Sequence, residues 1–562
     1  MMKFKEYDYS RPNISEVQTA FGTLLEQFQH ASSVQQQNQI MVEINQLREK
    51  FDSMFELVQI RHSVDTTDSF YEKEQEYFDE ITPLYEELIS EFYRALVNSH
   101  FREDLEEKWG KQLFRIAELT LKTFKPEIIE DLQLENKLES EYMKLIASAR
   151  IPFEGEERNL SGLGMFLQST DREMRKKANK AKYSFFTQNE EKLDAIFDQL
   201  VKVRTGIAQK LGYASYVELG YARMLRSDYN PEMVAQFRKQ VEEEIVPVAT
   251  KFRERQKSRL GLDRLMYYDE KLTFPDGNAI PQGDPEWIIA NGRRMYSELS
   301  SETDEFFNYM LEHELLDLVT HKGKAGGGYC TYISQYQSPF IFSNFNGTSG
   351  DVDVLTHEAG HAFQVYSSRN FAVPEYHWPT YESCEIHSMS MEFFAWPWME
   401  LFFKDKADKY RFTHLSEALL FIPYGVTVDE FQHFVYSHPE ATSEERKKAW
   451  REIEKKYLPH RIYGDNEYLE QGGFWHQQGH IFSSPFYYID YTLAQICAFQ
   501  FWKKARENRT QAWADYFKIC QVGGSLSFLE LVEQANLISP FKEGCIHSVI
   551  GIIGEWLEKA QE

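Results

Sequence analysis

Apolar residues recur at helical spacing along most of this chain, and strand composition appears in one stretch only. Val17, Phe21, Leu24, Leu25 and Phe28 follow that spacing, as do Ile40, Ile44, Leu47, Phe51, Met54, Phe55 and Val58. A chain patterned this way buries its apolar stripes by packing helix on helix. With 42 Phe, 32 Tyr and 10 Trp among 562 residues it can fill a large core, which excludes a disordered or fibrous protein. The expected fold class is mainly α.

The exception is residues 322–350, KGKAGGGYCTYISQYQSPFIFSNFNGTSG, where glycines precede a run of Tyr, Cys, Thr, Ile and Phe. This predicts one small β-sheet. Turns are expected around Gln35 to Gln39 and at Asp65–Ser69, with an irregular or extended connection over 151–164 and a loop over 274–285. Asp284-Pro285-Glu286 reads as a helix start, and long amphipathic helices are expected over Asp171 to Leu200 and Pro231 to Arg255. No fixed period supports a repeat solenoid.

Charge and cysteine usage narrow the function. Lys plus Arg number 62 against 88 Asp plus Glu, a formal charge of −26. An acidic chain without a basic block repels phosphate backbones, so no nucleic-acid partner is expected. No run approaches the ~18 apolar residues of a membrane span, and Met1 to Pro12 is too polar for a secretory signal. Five scattered cysteines without a Cys-x-x-Cys pair suit reduced thiols better than a disulfide framework. These features predict a soluble cytoplasmic protein with no membrane partner.

Histidines concentrate late in the chain, 5 of 16 before residue 351 and 11 from His357 to His547. Directly after the strand-like stretch comes DVDVLTHEAGHAFQVYSS. His357 and His361 are four apart, so on a helix their β-carbons lie ~5–6 Å apart and both imidazoles can reach one metal. Glu358 lies beside that face, within reach of a metal-bound water. Leu355, Ala359, Phe363 and Tyr366 form the opposite, core-facing stripe. In a chain with 16 histidines the H-E-x-x-H pattern arises by chance roughly 0.04 times.

A second helix is expected over TYESCEIHSMSMEFFAW. Glu382, Glu385 and Glu392 share one of its faces, and the surrounding Met and aromatic residues argue for burial. Glu385 completes a His, His, Glu set with an open position, as a catalytic zinc requires. Glu392 and Asp353, one turn before His357, are candidates for orienting the ligands. A third segment, GGFWHQQGHIFSSPFYYIDYTLAQ, gathers His476, His480, Tyr487, Tyr488 and Tyr491. It reads either as core packing or as a source of donors for an oxyanion.

These motifs resemble the thimet oligopeptidase and oligoendopeptidase F family of zinc metallopeptidases, in particular its bacterial oligoendopeptidase F or Pz-peptidase branch. The resemblance rests on His357-Glu358-Ala359-Gly360-His361-Ala362-Phe363-Gln364, Glu385-Ile386-His387-Ser388-Met389-Ser390-Met391-Glu392 and Pro485-Phe486-Tyr487-Tyr488-Ile489-Asp490-Tyr491. Gly523-Gly524-Ser525 and Ser527-Phe528-Leu529-Glu530-Leu531 also fit. It runs in order through residues ~150–550. It implies a two-lobed helical shell around a deep substrate channel, with the small sheet next to the active-site helix. Residues 1–150 would form an N-terminal helical region, and 151–562 a catalytic region built as one continuous two-lobed unit.

By the same resemblance, His357, His361 and Glu385 bind one Zn2+ per chain and Glu358 is the general base. Tyr491, with His480 and Tyr488, contacts substrate or the transition state. The His480-to-Tyr491 interval is one residue shorter than in thimet-type members, and Ser484 and Pro485 fall where those carry another tyrosine. The glycine-rich strand around Gly326–Thr331 resembles a substrate-facing edge, which would hold a peptide backbone without reading its side chains.

The expected activity is zinc-dependent hydrolysis of internal bonds in short peptides, with Glu358 activating a zinc-bound water, by a monomer or weak homo-oligomer. Two alternatives use the same site: a peptidyl-dipeptidase that grips the substrate's C-terminal carboxylate with an Arg or Lys, and a non-catalytic helical peptide-binding protein with structural zinc. A third is a metal-free scaffold. A structural zinc wants four protein ligands, and no fourth Cys or His stands at suitable spacing.

Overall fold

The computed structural model describes residues 2–560 apart from 322, 323, 326 and 346. Gly326, the first of the expected glycine edge, thus lies outside the described residues. The chain forms two compact units, each assembled from three segments. The first comprises Met1–Leu121, Ile280–Ala407 and Cys497–Ile538; the second comprises Lys122–Ala279, Asp408–Ile496 and Ser539–Glu562.

The first unit opens with antiparallel helices. Ile14–His30 buries Phe21, Leu25 and Phe28, the centre of the predicted stripe. The next helix starts at Val34, capped by the Ser33 hydroxyl, so the turn expected at Gln35 to Gln39 is in fact the first helical turn. Glutamine is a good helix former, and Gln37 is buried with its amide donating to the Phe28 carbonyl at 2.9 Å. The chain turns where Asp65–Ser69 predicts, with Asp68 capping the helix Ser69–Val97. Asp284 likewise caps Pro285–Leu299, accepting from the Trp287 amide at 2.8 Å.

In the second unit, residues 151–164 are extended at first, as expected, and pair as a hairpin, β1 (Ile151–Phe153) and β2 (Glu156–Arg158), because Glu154 and Gly155 both take positive φ, 49° and 80°. Two such residues make the tight turn whose twist suits a hairpin. The helix expected over Asp171 to Leu200 is two, Arg172–Gln188 and Glu190–Leu211, parted at Asn189. The run from Pro231 passes through a wider turn at Val241–Ile245 before Val246–Arg259. Pro247 has no N–H for the ladder, and the wider turn absorbs that loss.

The predicted sheet is present in the first unit, with one strand more than the sequence reading placed. β3 (Leu316–Val319) runs parallel to β5 (Ser338–Phe345), and β4 (Tyr329–Ile333) pairs antiparallel to β5 on its other side. β5 is buried along nearly its whole length, as its apolar run SPFIFSNF requires of a central strand. β4 is an edge strand. The helix Val34–Val64 packs against it: Thr331 donates to Glu56 at 2.6 Å, and Ser53 accepts the Gln335 amide at 2.9 Å. The mainly helical class and the small sheet beside the H-E-x-x-H helix thus agree with the sequence reading. All five cysteines are free thiols.

Candidate metal centre

The motif helix, Gly350–Ser368, follows β5 directly. The Gly347 amide donates to the Asp351 carboxylate at 2.7 Å, and Asp351 and Asp353 place negative charge in the first turn, where the helix dipole favours it. Leu355, Ala359, Phe363 and Tyr366 are all buried as predicted, Phe363 among Phe306, Trp513 and Phe517. That anchorage leaves His357 and His361 on the opposite side, with ring centroids 5.0 Å apart.

The glutamate helix, Tyr381–Phe394, lies against the motif helix at Gly360. A β-carbon added to Gly360 would stand 2.6 Å from the Ser388 Cα and 2.8 Å from the His387 carbonyl oxygen. Only glycine admits this spacing. The close approach brings the Glu385 Oε2 to 3.4 Å from His357 Nε2 and 3.6 Å from His361 Nε2. Ligands held about 2.0–2.1 Å from a tetrahedral zinc stand about 3.3 Å apart, so the donors fit that ion in type and spacing. His357, His361 and Glu385 form a group whose ligand atoms lie within 4.8 Å of one another.

The surroundings orient these three. His357 Nδ1 lies 2.7 Å from Glu392 Oε1, which turns its Nε2 toward Glu385. The Ser388 hydroxyl donates to Glu385 Oε2 at 3.1 Å. The sequence reading picked out Glu392 and missed Ser388, whose i+3 spacing from Glu385 was the available signal. Asp353 sits one turn before His357, half-buried. His387, two residues from Glu385, belongs elsewhere: it is fully buried, and the Tyr516 hydroxyl donates to its carbonyl at 2.9 Å.

Burial shapes the titration of the group. It pushes the Glu358 carboxyl up to about 7, against the lowering pull of His357. It would also lower the His357 imidazole, but hydrogen bonds to Glu385 and Glu392 outweigh it and raise that group well above its usual value. His361, without such a bond, is taken down to about 4 by burial. Glu358 faces the start of the edge strand: a β-carbon on Gly328 would lie 3.8 Å from its Oε1.

The predicted tyrosine cluster forms in the second unit. The His480 ring centroid lies 5.9 Å from that of Tyr487, 5.1 Å from Tyr488 and 5.8 Å from Tyr491. The Gln478 amide fixes that imidazole at 2.8 Å and accepts from the Tyr424 hydroxyl at 2.8 Å. Ahead of Tyr488, Phe486 holds a strained positive φ of 69°, pinned where Gln432 accepts its amide at 2.8 Å. The buried Asp490 carboxylate accepts from the Arg226 guanidinium at 2.6 Å. His476 stands apart from the cluster, buried between Asp194 at 3.0 Å and the Tyr468 hydroxyl at 2.7 Å. For His476 the core-packing reading holds.

The peptidase family M3 model matches residues 165–273 and 294–549, and the peptidase M3 N-terminal domain model matches residues 4–124. The chain belongs to peptidase family M3. It is therefore a metallopeptidase that acts on peptides. A solved structure described as PZ peptidase A with inhibitor 2 is 63% identical, covers 100% of both chains and superposes with a TM-score of 0.96. An oligoendopeptidase F homolog of Borreliella burgdorferi is 25% identical over 71% of this chain and 67% of its own length. The oligoendopeptidase-F structure from Enterococcus faecium, 16% identical over 97% of this chain and 98% of its own with a TM-score of 0.64, shares the fold. Among the described residues, no helix is long and apolar enough to cross a membrane.

Proposed function

We propose that this M3 peptidase is a zinc-dependent endopeptidase that hydrolyses internal bonds of short oligopeptides. The observation that carries the reading is the meeting of Glu385 Oε2 with the His357 and His361 Nε2 atoms at 3.4 and 3.6 Å, with Glu358 beside them. These three side chains would hold the zinc ion. When bound, the ion polarises the scissile carbonyl and acidifies the attacking water. Glu358 takes a proton from that water and delivers it to the leaving amine, a role worth roughly 10²–10⁴-fold. Glu392 holds the His357 imidazole in the tautomer that presents Nε2. The edge strand β4 would carry the substrate backbone through main-chain hydrogen bonds, which makes the enzyme tolerant of side chains.

Glu358→Gln tests the assignment. The variant should keep one zinc per chain, by elemental analysis, and lose nearly all turnover of a short internally quenched peptide. Turnover equal to the wild type with zinc present would contradict it.

A further inference from the structure

The second unit holds a cavity of about 250 Å3 between the helix Arg172–Gln188, the segment at Tyr267–Lys271 and residues Tyr424, Arg461 and Phe474. A second cavity of about 250 Å3 shares Glu270, Lys271, Tyr424 and Arg461 with it and extends to Arg253 and Arg259. The charges around these spaces do not balance. Glu270 is already committed: the Arg461 guanidinium donates to it at 2.7 and 3.1 Å, and Arg253 stands 3.6 Å away.

Three cations remain over. Lys182 has no hydrogen bond and no ion pair among the described residues; its ammonium lies 5.2 Å over the Tyr183 ring. Burial, with the nearby Lys271 acting in the same direction, draws its amine down to about 7. Lys271 is more exposed and has no carboxylate within ion-pair distance among the described residues; Glu417 acts on it from further off. Arg259 donates its Nε to the Thr273 carbonyl at 2.8 Å and rests on the Phe274 and Phe412 rings, while its Nη1 is buried without a partner. A chain of net charge −26 has acids to spare. Lys182 and Lys271 line the first cavity, where the one carboxylate among the described lining residues, Glu270, is taken by arginine; Arg259 lines only the second, which Glu417 also lines. Cations at a cavity without a matching acid mark a place for an anionic ligand.

We propose that this cavity binds a carboxylate of a short peptide, held by Lys182 and Lys271, with the residue that bears it packed on Tyr183 and Tyr424. The size suits one end of a chain, being below the ~300–1,000 Å3 of a pocket for a whole drug-sized ligand. The Tyr424 ring meets Phe474 at 5.9 Å and Tyr183 meets Phe474 at 6.1 Å, which gives the cavity an aromatic wall. That the ligand is a peptide rests on the function proposed above. The preference for an anion rests on the cavity alone.

Calorimetry on the metal-free full-length protein separates the two ideas, because binding is read without turnover. Four acetylated tetrapeptides are compared: one ending in Phe as free acid and as amide, and two amides ending in Glu or Gln. The wild type should bind a carboxylate-bearing member about tenfold tighter than its neutral counterpart. Lys182→Met and Lys271→Met should each erode that preference, the double variant should abolish it, and Lys182→Arg should keep it. A lysine-dependent preference between the Phe peptides assigns the chain terminus, and one between the Glu and Gln amides assigns a side chain. Equal binding of all four by the wild type, binding of none, or a preference that survives in the double variant would overturn the proposal.

Discussion

Replacing Gly360 by alanine should pull the metal group apart, because the two helices that build it touch through that glycine. The added β-carbon would stand 2.6 Å from the Ser388 Cα, whereas ordinary contact begins at 3.4 Å. The obstacles are the Ser388 and His387 backbone, which cannot rotate away, so the glutamate helix must retreat by about 0.8 Å. Metal sites tolerate about ±0.2 Å in ligand distance, so Glu385 would leave the range in which it completes the set with His357 and His361. Alanine gains about 1 kcal/mol over glycine inside a helix, but overpacking costs about 1–3 kcal/mol, so the variant should also unfold at a lower temperature.

Zinc affinity, measured by competition with a graded chelator series, should fall at least about 10-fold, and kcat/KM about 100-fold. Gly206→Ala is the matched control. Its added carbon meets nothing within 4 Å, so it should stabilise the protein by about 0.5–1 kcal/mol and leave metal and turnover unchanged. Wild-type zinc affinity and melting temperature in Gly360→Ala would refute the close-approach argument.

Other consequences can be checked alongside. Glu392→Gln should weaken zinc binding about 10–100-fold in the same competition assay, while the melting temperature of the metal-free protein stays near wild type. Arg48→Met should destabilise by about 3–5 kcal/mol, because Glu375, 2.6 Å from Arg48 and 7% exposed, keeps a buried carboxylate with its cation gone. That cost should depend on pH in a definite direction. Burial alone would raise the Glu375 carboxyl, but Arg48 and the Tyr93 hydroxyl outweigh it and hold it below its ordinary 4.5. The stability it gives is present above 4.5 and is lost as pH falls further, so denaturant unfolding should show the gap between Arg48→Met and wild type narrowing below 4.5.

Much of the metal group was legible because its signals are local. The four-residue spacing of His357 and His361 fixes their shared face, and the buried stripe at Leu355, Ala359 and Phe363 fixes the opposite one. Glu385 was legible through its helix and its apolar neighbours. The turn at Asp65–Ser69 and the helix start at Asp284 were legible for the same reason. What escaped depends on partners distant in sequence. β3, LDLV, carries a charge in four residues, and its strand character comes from pairing with β5. Gly360 gives no sign in sequence that another backbone lies against it. Arg48 and Glu375 stand 327 residues apart, and no local pattern announces their pairing. Lys182 reads as one more solvated charge on an amphipathic helix until the cavity beside it is seen.

The most direct test of the account is hydrolysis of a quenched ten-residue peptide with and without chelator, the products identified by mass. Internal cleavage that chelator abolishes and zinc restores is the predicted result. Release of C-terminal dipeptides alone would replace the endopeptidase by a peptidyl-dipeptidase with the same metal group. Cleavage that persists in the fully chelated protein would contradict the role given to His357, His361 and Glu385.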